Sequence, residues 1–163
     1  MKGTNVVESA LSSTQHLVNW FVSDLSDADL LVRPTPDANH IAWQLGHVIA
    51  TETRLARQIP GASYPSLPAG FEEQHGKETA KQEPPKGFLT KAQYIDLFNK
   101  VREATKTSAA KLSDADLDRP TEGPMAKMAP TLAALLLLVS NHSLMHAGQF
   151  SVVRRKLGKP VLF

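Results

Sequence analysis

The sequence predicts an all-α protein folded as an up-down-down-up four-helix bundle, and three observations support this prediction. Four segments carry apolar residues at spacings of three and four, the period of a helix with one buried face. No run alternates strictly between apolar and polar residues, so no sheet is expected. A proline-rich stretch of about thirty residues separates the second segment from the third, which is long for a loop in a compact domain. Two adjacent parallel helices need such a crossover, because the chain must return along the whole bundle.

Turn chemistry bounds each predicted helix. Pro60-Gly61 ends the second helix, and Thr90 is a suitable N-cap for the third. Gly158 followed by Pro160 ends the fourth, because proline cannot continue a helix. The four predicted helices span about residues 4–23, 39–59, 90–112 and 130–157. The crossover between the second and the third contains Pro60, Pro65, Pro68, Pro84 and Pro85.

A six-residue sequence occurs twice in the connections. Residues 25–30 and residues 112–117 both read Leu-Ser-Asp-Ala-Asp-Leu, and an Arg-Pro pair follows each copy closely. The repeat suggests that helices one and two form one hairpin-like unit and that helices three and four form another. The alternative is that both copies are good helix-exit sequences that arose independently.

Length, charge and cysteine content limit the class of protein. The chain has 163 residues, which suits a single domain covering residues 1–163. Its net charge is +2, without a block of Lys or Arg, which argues against nucleic-acid binding through the phosphate backbone. Because there are no cysteines, disulfides, thiolate metal sites and cysteine nucleophiles are excluded.

No signal peptide or membrane span is visible in the sequence. The longest apolar run covers residues 132–139, far short of the roughly 20 residues that cross a bilayer. We therefore expect a core helix at this run, no membrane partner, and a cytoplasmic location.

His142 and His146 are the sharpest chemical signal. Their i, i+4 spacing places both imidazoles on one helix face, together with apolar residues that point to the interior. A metal ion that takes one nitrogen from each ring would satisfy two such neighbours. Zinc proteases use this spacing with a Glu after the first His, but Ser143 stands there, so the metalloprotease hypothesis fails. Hydrogen bonding of both rings within the core, without metal, is the alternative.

His47 is the candidate third ligand, although periodicity alone leaves its role open. It lies roughly 120° around the second helix from the centre of the apolar stripe, beside Gln44 and Thr51. A flank position can face a neighbouring helix in a bundle, and it can equally be a surface position.

Several polar residues could support such a site. Gln44 and Gln149 each stand three residues from a candidate ligand and can share its helix face. Trp43 could form a pocket wall or simply pack in the bundle. Glu52 falls within the apolar stripe of helix two, where it could act as a proton acceptor or form an ion pair.

The remaining charged and imidazole side chains are interpreted as ordinary. His16, His40 and His75 have no ligand-like spacing, and we expect His40 and His75 to be solvated. Arg154 and Arg155 are well placed to interact with the C-terminal end of helix four. Crossover lysines could steer an anionic substrate, but alternating glutamates would largely cancel their field. These residues are Lys77, Lys81 and Lys86 with Glu78 and Glu83.

Three motifs in order give the chain a resemblance to the DinB-like superfamily over essentially its whole length. They are residues 41–47 (IAWQLGH), 142–149 (HSLMHAGQ) and 154–160 (RRKLGKP). The resemblance implies a metal-binding four-helix bundle whose three-histidine site falls on His47, His142 and His146. Members of that superfamily include thiol-dependent S-transferases and isomerases that use low-molecular-weight thiols.

A site of three neutral imidazoles would leave a divalent metal with an open coordination position, as in catalytic zinc sites. Imidazole suits zinc, nickel and iron, and we favour zinc or nickel. The leading hypothesis is an enzyme, such as a thiol S-transferase or a related hydrolase or isomerase, that activates a small thiol or water for a small-molecule substrate. The alternative is a non-catalytic, metal-stabilised bundle that acts as a dimeric stress-response or ligand-binding protein. A homodimer is expected in either case.

Overall fold

A computed structural model describes residues 2–83 and 85–162, so Pro84 of the predicted crossover lies outside the described residues. No strand forms in these two ranges, where the β-type pairing is an isolated bridge between Pro120 and Thr131. The predicted all-α class is confirmed. The helices are α1 Gly3–Val22, α2 Ile41–Ala56, the one-turn α3 Phe71–Gln74, α4 Lys91–Ala109, the one-turn α5 Asp114–Leu117, and α6 Leu132–Lys156.

Helix starts follow the predicted capping chemistry. The Thr90 side chain accepts a hydrogen bond from the backbone N–H of Gln93, and the Gln93 side chain accepts one from the backbone of Thr90. Thr131 caps α6 by accepting from the N–H of Ala134 at 3.2 Å. Gly158, just beyond α6, has a φ of 68°, a left-handed conformation that glycine adopts without strain.

Contacts between the long helices fix their relative directions. Hydrogen bonds join α1 to α6 from Thr14–Ser140 to Phe21–Arg154, so these helices are parallel. The Glu52–Arg102 pair joins the later halves of α2 and α4, and His40 meets Phe88 just before both helices start. Helices α2 and α4 are therefore parallel. Gln44 contacts His146 whereas His47 lies beside His142, so α2 runs antiparallel to α6, and the up-down-down-up order is confirmed.

The predicted hairpin units are wrong. Helix α1 packs against α4 and α6, and α2 packs against the same two helices, so α1 and α2 lie diagonally across the bundle. The repeated six residues instead form capped helical turns. Ser26 and Asp29 exchange side-chain and backbone hydrogen bonds in the first copy, as Ser113 and Asp116 do in the second. The repeat therefore marks two locally stable turns and carries no information on which helices are neighbours.

A buried charge network ties the four long helices together. Arg102 is fully buried, and its Nε and Nη2 donate to the Glu52 carboxylate at 2.8–3.2 Å. Its remaining N–H groups donate to the Leu11 carbonyl, Thr14 and Ser143 at 2.7–2.8 Å. Every donor of the guanidinium thus has an acceptor, which is the condition for burying such a charge. Of the two roles considered for Glu52, the ion pair is the one observed.

The connection between α2 and α4, described over residues 57–83 and 85–90, contacts both helices. Phe71 at the start of α3 is buried in the core, and the Tyr64 hydroxyl lies 3.3 Å from Thr105 on α4. This connection brings His75 into the interior beside α2. Among the described residues, no helix is both long and apolar enough to cross a bilayer.

Candidate metal centre

The structure brings the three imidazoles singled out from the sequence into one group. His47 on α2 and His142 and His146 on α6 each offer a ring nitrogen, and these nitrogens all lie within 4.8 Å of one another. The ring centroid of His47 is 5.2 Å from that of His142 and 5.5 Å from that of His146. Because α2 and α6 are adjacent, the flank position of His47 faces its neighbour. We call this group the histidine triad.

Gln44 orients His146. Its amide nitrogen donates to the Asn39 carbonyl at 2.7 Å, which turns the amide oxygen toward the imidazole. Nδ1 of His146 donates to that oxygen at 2.9 Å, so Nε2 keeps a lone pair. The Nε2 atoms of His142 and His146 lie 3.2 Å apart. Tetrahedral zinc, with Zn–N bonds of about 2.0–2.1 Å, holds its ligand nitrogens at nearly this separation.

The backbone of His75 orients His47. Nδ1 of His47 donates to the His75 carbonyl at 3.2 Å, so its Nε2 also carries a lone pair. One face of the His47 ring stacks on the Trp43 ring, with centroids 4.8 Å apart and planes within 9° of parallel. Trp43 is 5% exposed, and its indole N–H has no acceptor among the described residues.

Burial keeps the triad neutral. Desolvation lowers the pKa of His142 to about 4 and that of His146 to about 3, and it also lowers the pKa of His47. At neutral pH each ring therefore has an unprotonated nitrogen. Metal binding needs this state, because a protonated imidazole offers no lone pair.

His75, which was expected to be solvated, is 1% exposed, so that prediction is wrong. Its Nδ1 donates to the Phe71 carbonyl at 2.7 Å, and its Nε2 accepts from the Tyr94 hydroxyl at 2.7 Å. The ring lies directly on Gly46, where a Cβ atom would come within 2.0 Å of His75 Cδ2. Burial lowers the pKa of His75 to about 4. Gly46 thus makes room for the His75 ring, and the His75 carbonyl in turn orients His47.

His40 was also predicted to be solvated, and it too is buried, at 1% exposed. It is the N-cap of α2, where its Nδ1 accepts from the backbone N–H of Trp43 at 3.1 Å. Its ring packs edge-on against Phe88, and burial lowers its pKa to about 4. His16 is exposed on α1, away from the triad.

Other expectations about polar residues need correction. Arg154 is buried and binds the Asp24 carboxylate and the carbonyls of Phe21 and Pro160, so it does more than interact with its own helix end. Gln149 is exposed on α6, whereas Gln44 contacts the triad as expected.

Among the described residues, the lysines and glutamates that alternate along the crossover form no ion pairs with one another. Lys81 pairs with Asp37 at 2.9 Å, and Glu83 pairs with Arg33, so both crossover charges are bound to the segment before α2. Sequence spacing could not show this, because the partners are more than forty residues away along the chain.

The donor set fits a divalent metal. Within residues 2–83 and 85–162 the grouped donors are three imidazoles, with no acidic or thiol member, and they leave at least one coordination position open. His146 is buried, whereas His47 and His142 are partly exposed, so the triad opens to the surface on their side. Imidazole nitrogen suits zinc, nickel, copper and iron and does not choose among them.

The fold and the triad together define the class of protein: a four-helix bundle with a group of three histidines between two adjacent helices. The chain belongs to the DinB superfamily, whose sequence pattern it matches over residues 10–150. This confirms the family inferred from the motifs.

Two solved structures share the fold. A conserved protein from Enterococcus faecalis has a TM-score of 0.70 at 19% identity, covering 98% of this chain and 99% of that one. YfiT from Bacillus subtilis, described as a probable metal-dependent hydrolase with an unusual four-helix bundle topology, has a TM-score of 0.68 at 15% identity. That match covers 96% of this chain and 89% of YfiT. No curated protein matches the chain.

Proposed function

We propose that this protein is a divalent-metal-dependent enzyme that activates a small thiol, or water, at the histidine triad. The observation that carries the proposal is the convergence of three neutral imidazoles on one point that opens to the surface. A structural site would close its coordination shell with protein ligands, whereas this group supplies three. The family and the description of YfiT as metal-dependent support the same proposal.

In this proposal the surrounding residues prepare the triad. Gln44 and the His75 carbonyl hold the Nδ1 protons of His146 and His47, so that both Nε2 lone pairs point away from those partners. Trp43 packs against one side of His47 and fixes its plane. A divalent metal bound there supplies a Lewis acid that lowers the pKa of a thiol or water at its open position.

A thiol is the preferred nucleophile. The position that carries the general base in zinc proteases is Ser143, whose hydroxyl is held by Arg102. Glu52, the carboxylate considered as a proton acceptor, is bound by Arg102 and Thr105. A thiol depends less than water on such a base, because its own pKa is much nearer to neutrality.

The test is metal-dependent thiol transfer. Apoprotein is reloaded with zinc, nickel or ferrous iron and mixed with N-acetylcysteine and the electrophile monochlorobimane. A sulfur–carbon bond forms, chloride leaves, and the thiol proton is released, so fluorescence reports the rate. We expect reloaded protein to accelerate the reaction, His146→Ala to lose the acceleration, and His16→Ala, a histidine outside the triad, to keep it.

Hydrolysis and a purely structural role give different results in the same assay. Metal-dependent cleavage of p-nitrophenyl acetate without thiol transfer would favour water as the nucleophile. If metal raised the melting temperature while neither reaction exceeded the apoprotein rate, the enzyme proposal would be wrong and the structural role would replace it.

We also propose that the protein forms a homodimer. Leu144, Met145 and Val152 on α6 are each 47–53% exposed, and such an apolar helix face is commonly covered by a partner. Light scattering should give twice the chain mass, and Leu144→Glu should return it to the monomer mass.

A further inference from the structure

A polar stripe leads along α2 away from the triad. Gln44, His47, Thr51 and Arg54 follow one another at spacings of three and four, so they share one face of the helix. This face is turned toward α6, because Gln44 contacts His146 and His47 lies beside His142. Arg54 is exposed at the far end, about 10 Å along the helix axis from His47.

Lys77 lies on the α2–α4 connection near the side on which the triad opens to solvent, which we call the mouth. It stands two residues after His75, whose carbonyl accepts the hydrogen bond from His47. The buried ring of His75 holds this part of the connection in place, and Lys77 follows at the start of an exposed 3-10 turn, Lys77–Thr79. One cation thus comes from α2 and the other from the connection.

Neither cation is neutralised by an ion pair. Across residues 2–83 and 85–162, Arg54 and Lys77 have no carboxylate partner, whereas the nearby cations Lys81 and Arg57 pair with Asp37 and Glu72.

The acidic residues of the connection near the triad either contact other residues or are exposed to solvent. Glu72 pairs with Arg57 at 3.9 Å, and both Glu72 and Glu73 line a surface pocket with Thr53. Glu78 follows Lys77 and is exposed. The side of the triad that opens to solvent is therefore bordered by two cations that form no ion pair with the described residues.

We propose that the site takes a substrate with an anionic group, a carboxylate or a phosphate, which Arg54 and Lys77 bind at the mouth while the reacting atom lies at the triad. The inference rests on the proposed function and specifies its substrate class. The separation of His47 and Arg54 suits a small molecule whose reacting atom and anionic group are about 10 Å apart or somewhat less.

The experiment compares two thiols that differ in charge at the far end. Mercaptohexanoate and mercaptohexanol are titrated into the cobalt(II)-substituted full chain, and the near-ultraviolet band of cobalt–thiolate coordination reports binding without any turnover. We expect the carboxylate to bind about fivefold more tightly, the effect of two exposed charge contacts. In Arg54→Gln/Lys77→Gln the two affinities should become equal. Lys81→Gln, which removes a nearby cation already paired with Asp37, should leave the preference intact.

The outcomes separate the two proposals. Equal affinities in the unchanged protein, or a preference that survives in Arg54→Gln/Lys77→Gln, would overturn the anion site while leaving thiol activation untouched. If neither thiol produced the band, thiol activation would fail. The anion site would then be tested by comparing the affinities of adipate and hexanoate for the cobalt-substituted chain. These are carboxylate ligands that differ only in a second charge, read from the visible cobalt spectrum. A preference for adipate that Arg54→Gln/Lys77→Gln removes would support the site, and equal affinities would overturn it.

Discussion

Gly46 shows how one residue without a side chain positions a site. Glycine inside a helix costs about 1 kcal/mol relative to alanine, so its presence in α2 calls for a compensating reason. The reason is the His75 ring, which occupies the space of a Cβ atom. Through this close packing the connection reaches His47, and the His75 carbonyl accepts a hydrogen bond from its Nδ1–H.

Gly46→Ala should therefore destabilise the protein although alanine is the better helix former. The added methyl must push His75 away from Tyr94, at a cost of about 1–3 kcal/mol for overpacking. Loss of the His75 carbonyl from His47 should also weaken metal binding by about 10–100-fold. Urea unfolding and a competitive metal titration measure the two effects.

Gly148→Ala is the matched control, because Gly148 is in α6 and a Cβ there meets nothing within 4 Å. It should stabilise the protein by about 0.5–1 kcal/mol and leave metal binding unchanged. A stabilising Gly46→Ala with unaltered metal affinity would contradict the role given to His75.

The sequence revealed the triad residues but only part of their surroundings. The i, i+4 spacing of His142 and His146 is a direct helix-face signal, and Gln44 lies on the face of His47 by the same rule. His75 lies outside the long helices, where no period relates a residue to its neighbours, so its burial could not be predicted. His40 was placed within the second helix but is its N-cap, and helical periodicity does not apply at that position. The signal that was available for His75 is indirect: a glycine in mid-helix next to a candidate ligand.

At the scale of the helices, the network around Arg102 sets the alignment of the bundle. Hydrogen bonds from one guanidinium reach residues of α1, α2 and α6, so sliding any of these helices would leave a buried charge unsatisfied. Ser143 belongs to this network and adjoins His142. The network therefore also fixes the position along α6 at which the two histidines face α2.

Glu52→Gln should cost about 3–5 kcal/mol of unfolding free energy, because it leaves the buried Arg102 charge without its counter-ion. Asp96→Asn, which removes the acid of the exposed Asp96–Lys100 pair on α4, should cost less than about 1 kcal/mol. Urea denaturation of both variants measures the difference. Equal, small effects would show that the buried pair does not stabilise the folded state.

Sequence pattern predicted the helices well and their neighbours poorly. Apolar spacing and caps such as Thr90 act over a few residues, so they can be read locally. Adjacency depends on partners far apart in the chain, such as Glu52 and Arg102. Glu52 within an apolar stripe signalled a buried partner, but nothing in the sequence pointed to Arg102.

For the whole molecule, burial of several histidines predicts acid sensitivity of the apoprotein. Desolvation lowers the pKa of His40, His75 and His142 from 6.5 to about 4, and that of His146 to about 3. At a pH between 6.5 and these lowered pKa values, the unfolded chain binds more protons than the folded chain. The free energy of unfolding must therefore fall as the pH decreases through this range.

The expected slope is about 1.4 kcal/mol per pH unit for each such histidine, and it is present below pH 6.5 and absent above it. Urea unfolding of apoprotein at a series of pH values measures it. An apoprotein whose stability is flat from neutral pH to about pH 5 would show that these histidines are not buried in the neutral form.

The most direct test of whether the histidine triad binds a divalent metal is the metal content of the protein purified without a histidine tag. Elemental analysis should find one divalent ion per chain, retained in His16→Ala and lost in His47→Ala, because in the proposed site the triad supplies all three protein ligands. A protein that holds no metal even after dialysis against zinc, nickel and ferrous salts would contradict the claim, as would a His47→Ala variant that binds as much metal as the unchanged chain.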